Sequence, residues 1–194
     1  MRVLYLYCHP VPESLHGAIR KAALDGLARA GHAVDLLDLY EDGFEPVLRA
    51  DERRRYHDLS RNRQGLEPYI DRLTSCEALV VQFPVWCFGP PAMLKGFLDR
   101  LVLPGVAFDL GARGQLRPML TNIRKIAGIA TYGGSRLHAW AMGEPPRKLV
   151  TRYLRWFAVR GAPVAYHALH QVNRASEAMT GKFLTRVGSA MGWF

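Results

Sequence analysis

The sequence predicts a doubly wound α/β fold built on a five-stranded parallel sheet in three layers. Three observations carry that expectation. Apolar, β-forming runs alternate with amphipathic stretches of helical spacing along the chain. Residues 2–39 read strand–helix–strand, which implies a parallel pair joined by a right-handed crossover. CEALVVQFP (76–84) is a continuous apolar run of the kind buried on both faces of a parallel sheet.

In order, RVLYLYCH forms the first strand and stops at Pro10. SLHGAIRKAALDGLARAG follows as an amphipathic helix. Ser14 suits its N-cap, Ile19, Ala22, Ala23 and Leu27 recur at helical spacing, and Gly31 ends it. HAVDLLDLY is the second strand. Residues 41–75 are polar and arginine-rich, carry GFEPVL and then a helix, and read as an excursion over the surface long enough to reach a partner subunit. After the third strand, CEALVVQFP, PAMLKGFLDRLV is a helix with proline in its first turn, where the missing N–H does no harm. IRKIAGIATYGG is the fourth strand, leading into a glycine turn. RKLVTRYLRWFAVRG is an amphipathic helix, APVAYHALH the fifth strand and SEAMTGKFLTRVGSAMGWF a closing helix.

At 194 residues the chain is expected to be one domain spanning 1–194. With 49% hydrophobic and 22% charged residues it has the composition of an ordinary globular protein. No apolar run approaches the roughly 20 residues of a membrane span, and MRVLYLYCHP has no small-residue cleavage site, so the expected location is the cytoplasm. Cys8, Cys76 and Cys87 form no CxxC pair and indicate neither a disulfide framework nor a zinc site. His167 and His170 fall on opposite faces of a strand, so no metal site is expected. The net charge of +9 is the unusual bulk feature. Its densest cluster, residues 49–63, is interrupted by Asp51, Glu52 and Asp58, and no basic strand with interleaved aromatics accompanies it, so nucleic acid is not an expected partner.

Doubly wound sheets bind ligands outside the carboxyl ends of their strands, and three loops there have unusual content. The first carries His9, then Ser14, Leu15 and His16 into a helix N-terminus, where free N–H groups and the helix dipole favour a phosphate. It lacks the GxGxxG and GxxxxGK[ST] patterns, which disfavours a dinucleotide fingerprint or an ATP-type loop. The second, Pro84, Val85, Trp86, Cys87 and Phe88, makes a rigid apolar wall for a planar ring. The third, Thr131, Tyr132, Gly133 and Gly134, lets backbone approach a ligand edge. Together they fit a flavin, FMN or FAD.

These residues resemble the flavodoxin-like NAD(P)H:quinone oxidoreductase family. Its members share a histidine–proline start with a serine a few residues on, a Q-F-P-aromatic-P-A-x-L-K-G-aromatic-x-D-R-V segment and a T-T-G-G loop. The chain has His9, Pro10 and Ser14, then Gln82 to Pro84, Trp86, Phe88, Pro91, Ala92, Leu94 to Phe97, Asp99 and Arg100, and lastly Thr131, Gly133 and Gly134. GVAFDLG (105–111) is also similar. The resemblance implies strand order 2-1-3-4-5 and a homodimer with sites at the subunit interface. It implies two-electron transfer of a hydride from NADH or NADPH to flavin N5, then reduction of a quinone, azo or nitro acceptor. His9, Ser14, Leu15 and His16 would hold the phosphate side, Pro84 to Phe88 the ring, and Thr131 to Gly134 its pyrimidine edge. The chain departs from the family at Tyr132, which replaces the second threonine, and in SRLHAWAMGEPPRK, which lacks the tyrosine–histidine pair of some members. Arg136 and His138 are the candidates for positive charge near the reduced ring. Two alternatives stand beside this reading, a flavodoxin-type electron carrier and a flavin-binding regulatory subunit in peripheral contact with a potassium-efflux transporter.

Overall fold

The computed structural model describes residues 1–111 and 114–194. In chain order its elements are β1 (Arg2–Tyr7), α1 (Leu15–Arg29), β2 (Ala33–Asp38), α2 (Ala50–Arg55), α3 (Glu67–Ser75), β3 (Ala78–Val85), α4 (Ala92–Leu101), β4 (Phe108–Leu110), β5 (Leu116–Pro118), β6 (Lys125–Tyr132), α5 (Arg136–Ala141), α6 (Pro145–Lys148), a π-helical stretch (Leu149–Leu154), α7 (Arg155–Phe157), β7 (Val164–Leu169) and α8 (Glu177–Gly192). The five long strands are all parallel, in the order β2-β1-β3-β6-β7. Counted among themselves they run 2-1-3-4-5, as expected. β4 and β5 form a separate antiparallel hairpin.

The strand period of two sorts β1 between two cores. Val3, Tyr5 and Tyr7 face α1 and α8 and pack with Ile19, Leu27, Phe183 and Val187. Leu4 and Leu6 face the other layer, with Phe97, Leu101, Val150 and Phe157. β3 is buried on both faces, which its unbroken apolar run required. Two glycines set the helix positions. A Cβ on Gly26 of α1 would sit 2.4 Å from the Gly188 carbonyl of α8, and one on Gly96 of α4 would sit 2.1 Å from the Pro46 carbonyl.

The excursion over 41–75 is fastened to its own chain. Leu66, Ile70 and Leu73 are buried. The Tyr56 hydroxyl donates to the Val102 carbonyl (2.9 Å), Asn62 Nδ2 donates to the Pro104 carbonyl (2.9 Å), and Arg100 Nε donates to the largely buried Glu52 (3.0 Å). The helix expected from RKLVTRYLRWF is continuous, but its middle turn is π-helical. Among the described residues no helix is long and apolar enough to cross a membrane.

Candidate functional site

The carboxyl ends of β1, β3 and β6 lie side by side, so the three loops singled out from the sequence meet at one rim. Pro84 shows how β3 reaches that rim. The Gln82 carbonyl accepts from the Cys8 N–H on the β1 side (3.0 Å). Two residues on, Pro84 turns its ring nitrogen to the same side, beyond the end of β1 at Tyr7, where no ladder bond is lost.

In the first loop, Ser14 occupies the N-cap of α1, yet its side chain does not cap the helix. Its Oγ instead lies 2.7 Å from the Val11 carbonyl, to which it donates, and 3.0 Å from His9 Nδ1. The N–H groups of the first helical turn therefore keep their donor capacity for a ligand. A Cβ on Gly17 would fall 1.8 Å from the Pro12 carbonyl, so the close fit of loop to helix needs glycine there. Tyr7, the last residue of β1, buries its hydroxyl beside Ser14. That oxygen has no hydrogen-bond partner among the described residues, and burial pushes its pKa up to about 12, so it stays a neutral donor. The sequence reading missed Tyr7. The strand alternation that faces it toward α1 is the signal that could have found it. Leu15 is half-buried against the α1–α8 core.

Behind this loop runs a buried polar chain. The Tyr5 hydroxyl donates to Gln82 Oε1. Gln82 Nε2 donates to the His16 carbonyl (2.8 Å) and faces His16 Nδ1 (3.1 Å), and His16 Nε2 lies 2.8 Å from Thr131 Oγ1. Because the carbonyl can only accept, the amide nitrogen must face His16, which makes Nδ1 an acceptor and leaves the ring proton on Nε2. Thr131 accepts that proton and retains its own O–H as a donor. Burial, then repulsion from His9, lowers the His16 pKa to about 3, so this imidazole is neutral. His9 stacks on it with ring centroids 4.8 Å apart, and burial lowers its pKa as well.

The second loop resolves into a tight turn. Trp86 and Gly89 exchange N–H···O bonds of 3.1 and 2.9 Å across Cys87 and Phe88, which have φ of 49° and 58°. Two left-handed central residues define a type I′ turn, a geometry that favours Asn-Gly and costs other residues of order 1 kcal/mol each. The strain holds Trp86 and Phe88 outward at 44% and 41% exposure, and the Trp86 ring lies 6.2 Å from that of His9. Val85 is half-buried beneath them and Cys87 is exposed.

In the third loop Gly133 is exposed and Gly134 half-buried. The Tyr132 side chain turns into the core. Its hydroxyl lies 2.7 Å from that of Tyr166 and its ring stacks on His170 at 4.5 Å, so only its backbone faces the rim. Burial raises its pKa. Arg136 and His138 stand on the exposed face of α5, a helix the sequence reading did not anticipate. Neither side chain bonds to the loop residues above among the described contacts. Arg136 lines a separate cavity at β7. No cluster of metal-ligating side chains occurs among the described residues.

The family model described as flavodoxin-like fold matches residues 1–184. The ribosyldihydronicotinamide dehydrogenase [quinone] of Pongo abelii is 32% identical over 125 residues, which cover 56% of this chain and 54% of that protein. The chain thus spans about half the length of that relative. A crystal structure of a Streptococcus mutans protein superposes with a TM-score of 0.89 at 28% identity, covering 100% of both chains. An FMN-dependent NADH-azoreductase of Bacillus anthracis, solved in complex with FMN, superposes with a TM-score of 0.79 at 14% identity, covering 100% of this chain and 99% of the other.

Proposed function

The chain belongs to the flavodoxin-like fold family, and from that premise we propose that it is a flavin-dependent NAD(P)H oxidoreductase reducing a quinone or similar acceptor. The observation that carries this reading is the rim itself. An uncapped helix start, an orphaned tyrosine hydroxyl, an outward aromatic turn and a side-chain-free glycine edge converge on strand ends. Those four features fit a flavin in its parts, namely phosphate, ring face and ring edge. Bound there, a flavin supplies two-electron hydride chemistry between nicotinamide and acceptor.

The chain's own residues bind and orient. The first-turn N–H groups of α1 and the Tyr7 hydroxyl offer donors to a phosphate, and Ser14, turned back onto the Val11 carbonyl, leaves those N–H groups uncapped. Trp86 and Phe88 present an apolar face, and stacking there aligns donor and acceptor, which supplies much of a hydride-transfer barrier reduction. His16, held neutral by burial, donates to Thr131 and so directs the threonine proton toward the ring edge. Either FMN or FAD would suit these features, since both carry the same ring system and a phosphate on its ribityl chain.

We also infer a homodimer. Leu137 and Trp140 are 69% exposed, and Met142, Tyr153 and Trp156 are exposed beside them. Met142, Tyr153 and Trp156 line an apolar groove of about 970 Å³ between α4 and the 142–156 segment. Contiguous apolar surface of this kind marks an interface. The test of the whole reading is anaerobic reduction of the purified protein by NADPH followed by menadione. Flavin absorbance that falls and then recovers supports the reading, and a protein that binds no flavin overturns it.

A further inference from the structure

Four non-glycine residues have left-handed backbone among the described residues. Cys87 and Phe88 shape the aromatic turn. The other two, Glu144 (φ 49°) and Gln171 (φ 56°), flank a different place, a cavity of about 270 Å³ at the free edge of β7. Strained backbone persists only where its surroundings enforce it, and it clusters at binding sites. The cavity is lined by Arg136, Arg147 and Arg186, by Glu144, and by His167 and His170; His170 lies just past the end of β7 at Leu169, so strand alternation does not keep the two histidines apart as the sequence predicts.

Its chemistry is that of an anion receptor. Three guanidinium groups face one carboxylate, and Glu144 is already engaged by Arg147 Nη1 at 3.1 Å. Arg136 and Arg186 have no acidic partner among the described residues. The Nε2 atoms of His167 and His170 are buried and lack hydrogen-bond partners among the described residues. Burial first, then Arg186 for His167 and Arg136 for His170, lowers both pKa values, so each ring is neutral and offers one N–H. A buried donor left unpaired is destabilising, and a ligand oxygen would recover that cost. Two guanidinium charges without an acidic partner, one of them on Arg186 whose Nη2 also donates to the Ala168 carbonyl at 3.0 Å, and two N–H donors call for a dianion with several oxygens. A carboxylate supplies one charge and two oxygens, whereas a phosphate monoester supplies up to two charges and three terminal oxygens.

We propose that this cavity binds a phosphate monoester, held by Arg136, Arg147, Arg186, His167 and His170. It is distinct from the helix start at Ser14, because β3 and β6 separate β7 from β1 in the sheet. It nevertheless touches the rim. His170 stacks on Tyr132, and the Gln171 N–H donates to the Gly134 carbonyl at 3.0 Å. The monoester is either the 2′-phosphate of NADPH, a source that rests on the oxidoreductase reading, or a separate phosphate-bearing metabolite, a source that does not.

The test is calorimetric titration of the protein as purified with inorganic phosphate and with adenosine 2′-monophosphate, ionic strength being matched with chloride. Saturable binding is expected, with affinity falling at least about tenfold in R147Q/R186Q. Arg136→Gln repeats the measurement on an exposed helix residue if the double variant does not fold. Binding that both variants leave intact belongs to the Ser14 loop and overturns the proposal, as does the absence of saturable binding. Phosphate that raises KM for NADPH but not for NADH identifies the coenzyme as the source. An equal effect on both, or none, identifies a separate ligand, and either result keeps the site. A protein that binds phosphate here but oxidises neither coenzyme refutes the oxidoreductase reading alone.

Discussion

His16 is the residue on which the rim depends most, and its effect is measurable without any ligand. Its folded pKa of about 3 lies below the unfolded value near 6.5. Between those limits the unfolded chain binds a proton that the folded chain refuses, so acidification destabilises the fold. The contribution is complete above about pH 6.5 and is lost on the way down to about pH 3, at up to about 1.4 kcal/mol per pH unit. Urea unfolding at several pH values from 7 to 4.5 should show this slope, and His16→Gln should flatten it by about one proton. His9, His167 and His170 are shifted in the same direction and add to the slope that remains, as do Glu45, Asp58 and Glu77 toward its acid end. At the aromatic wall, Phe88→Gly should raise stability by up to about 1 kcal/mol, because glycine adopts the left-handed turn without strain. The same change should weaken flavin retention, and thermal unfolding with and without added FMN separates the two effects. Ser14, His16 and Trp86 were legible as a group because they sit at strand ends. That His16 is buried and bonded to Thr131, 115 positions away, was not, since it follows from packing rather than local pattern.

At the scale of elements, the strands and the long helices were readable because their patterns are strong. β3 is apolar throughout, and α1 and α8 repeat their buried residues at helical spacing. The β4–β5 hairpin has only three residues per strand and α5 only six, too few for a period to register. The π-helical stretch has the same composition as an ordinary amphipathic helix. From this stretch Val150 packs against Gly128 of β6, where a Cβ would meet Val150 at 3.0 Å and Tyr166 at 2.7 Å. Gly128→Ala should therefore cost about 1–3 kcal/mol by overpacking. Gly96→Ala should cost as much or more, since its Cβ would strike backbone at Pro46 rather than a side chain that can turn. Denaturant midpoints of the two variants check both.

At the scale of the whole molecule, the doubly wound sheet and its strand order follow from the alternation of elements and the handedness of crossovers, so they were legible early. The proposed interface was less so, because exposure of Trp140 and Trp156 emerges only once the core is filled by Phe157 and Val150. Trp140→Glu should shift a dimer toward monomer without unfolding it, as read by sedimentation velocity. The excursion over 41–75, long enough to reach a partner subunit, buries Leu66, Ile70 and Leu73 in its own core and leaves Val47 and Leu59 exposed. The 142–156 segment is the better candidate for the interface.

The proposed activity requires that the rim hold a flavin cycling between nicotinamide and a quinone. The most direct measurement is the visible absorption spectrum of the protein after mild purification, repeated anaerobically after NADPH and again after menadione. Flavin bands that bleach with NADPH and return with the quinone are the predicted result. A colourless protein that takes up neither FMN nor FAD contradicts the central claim.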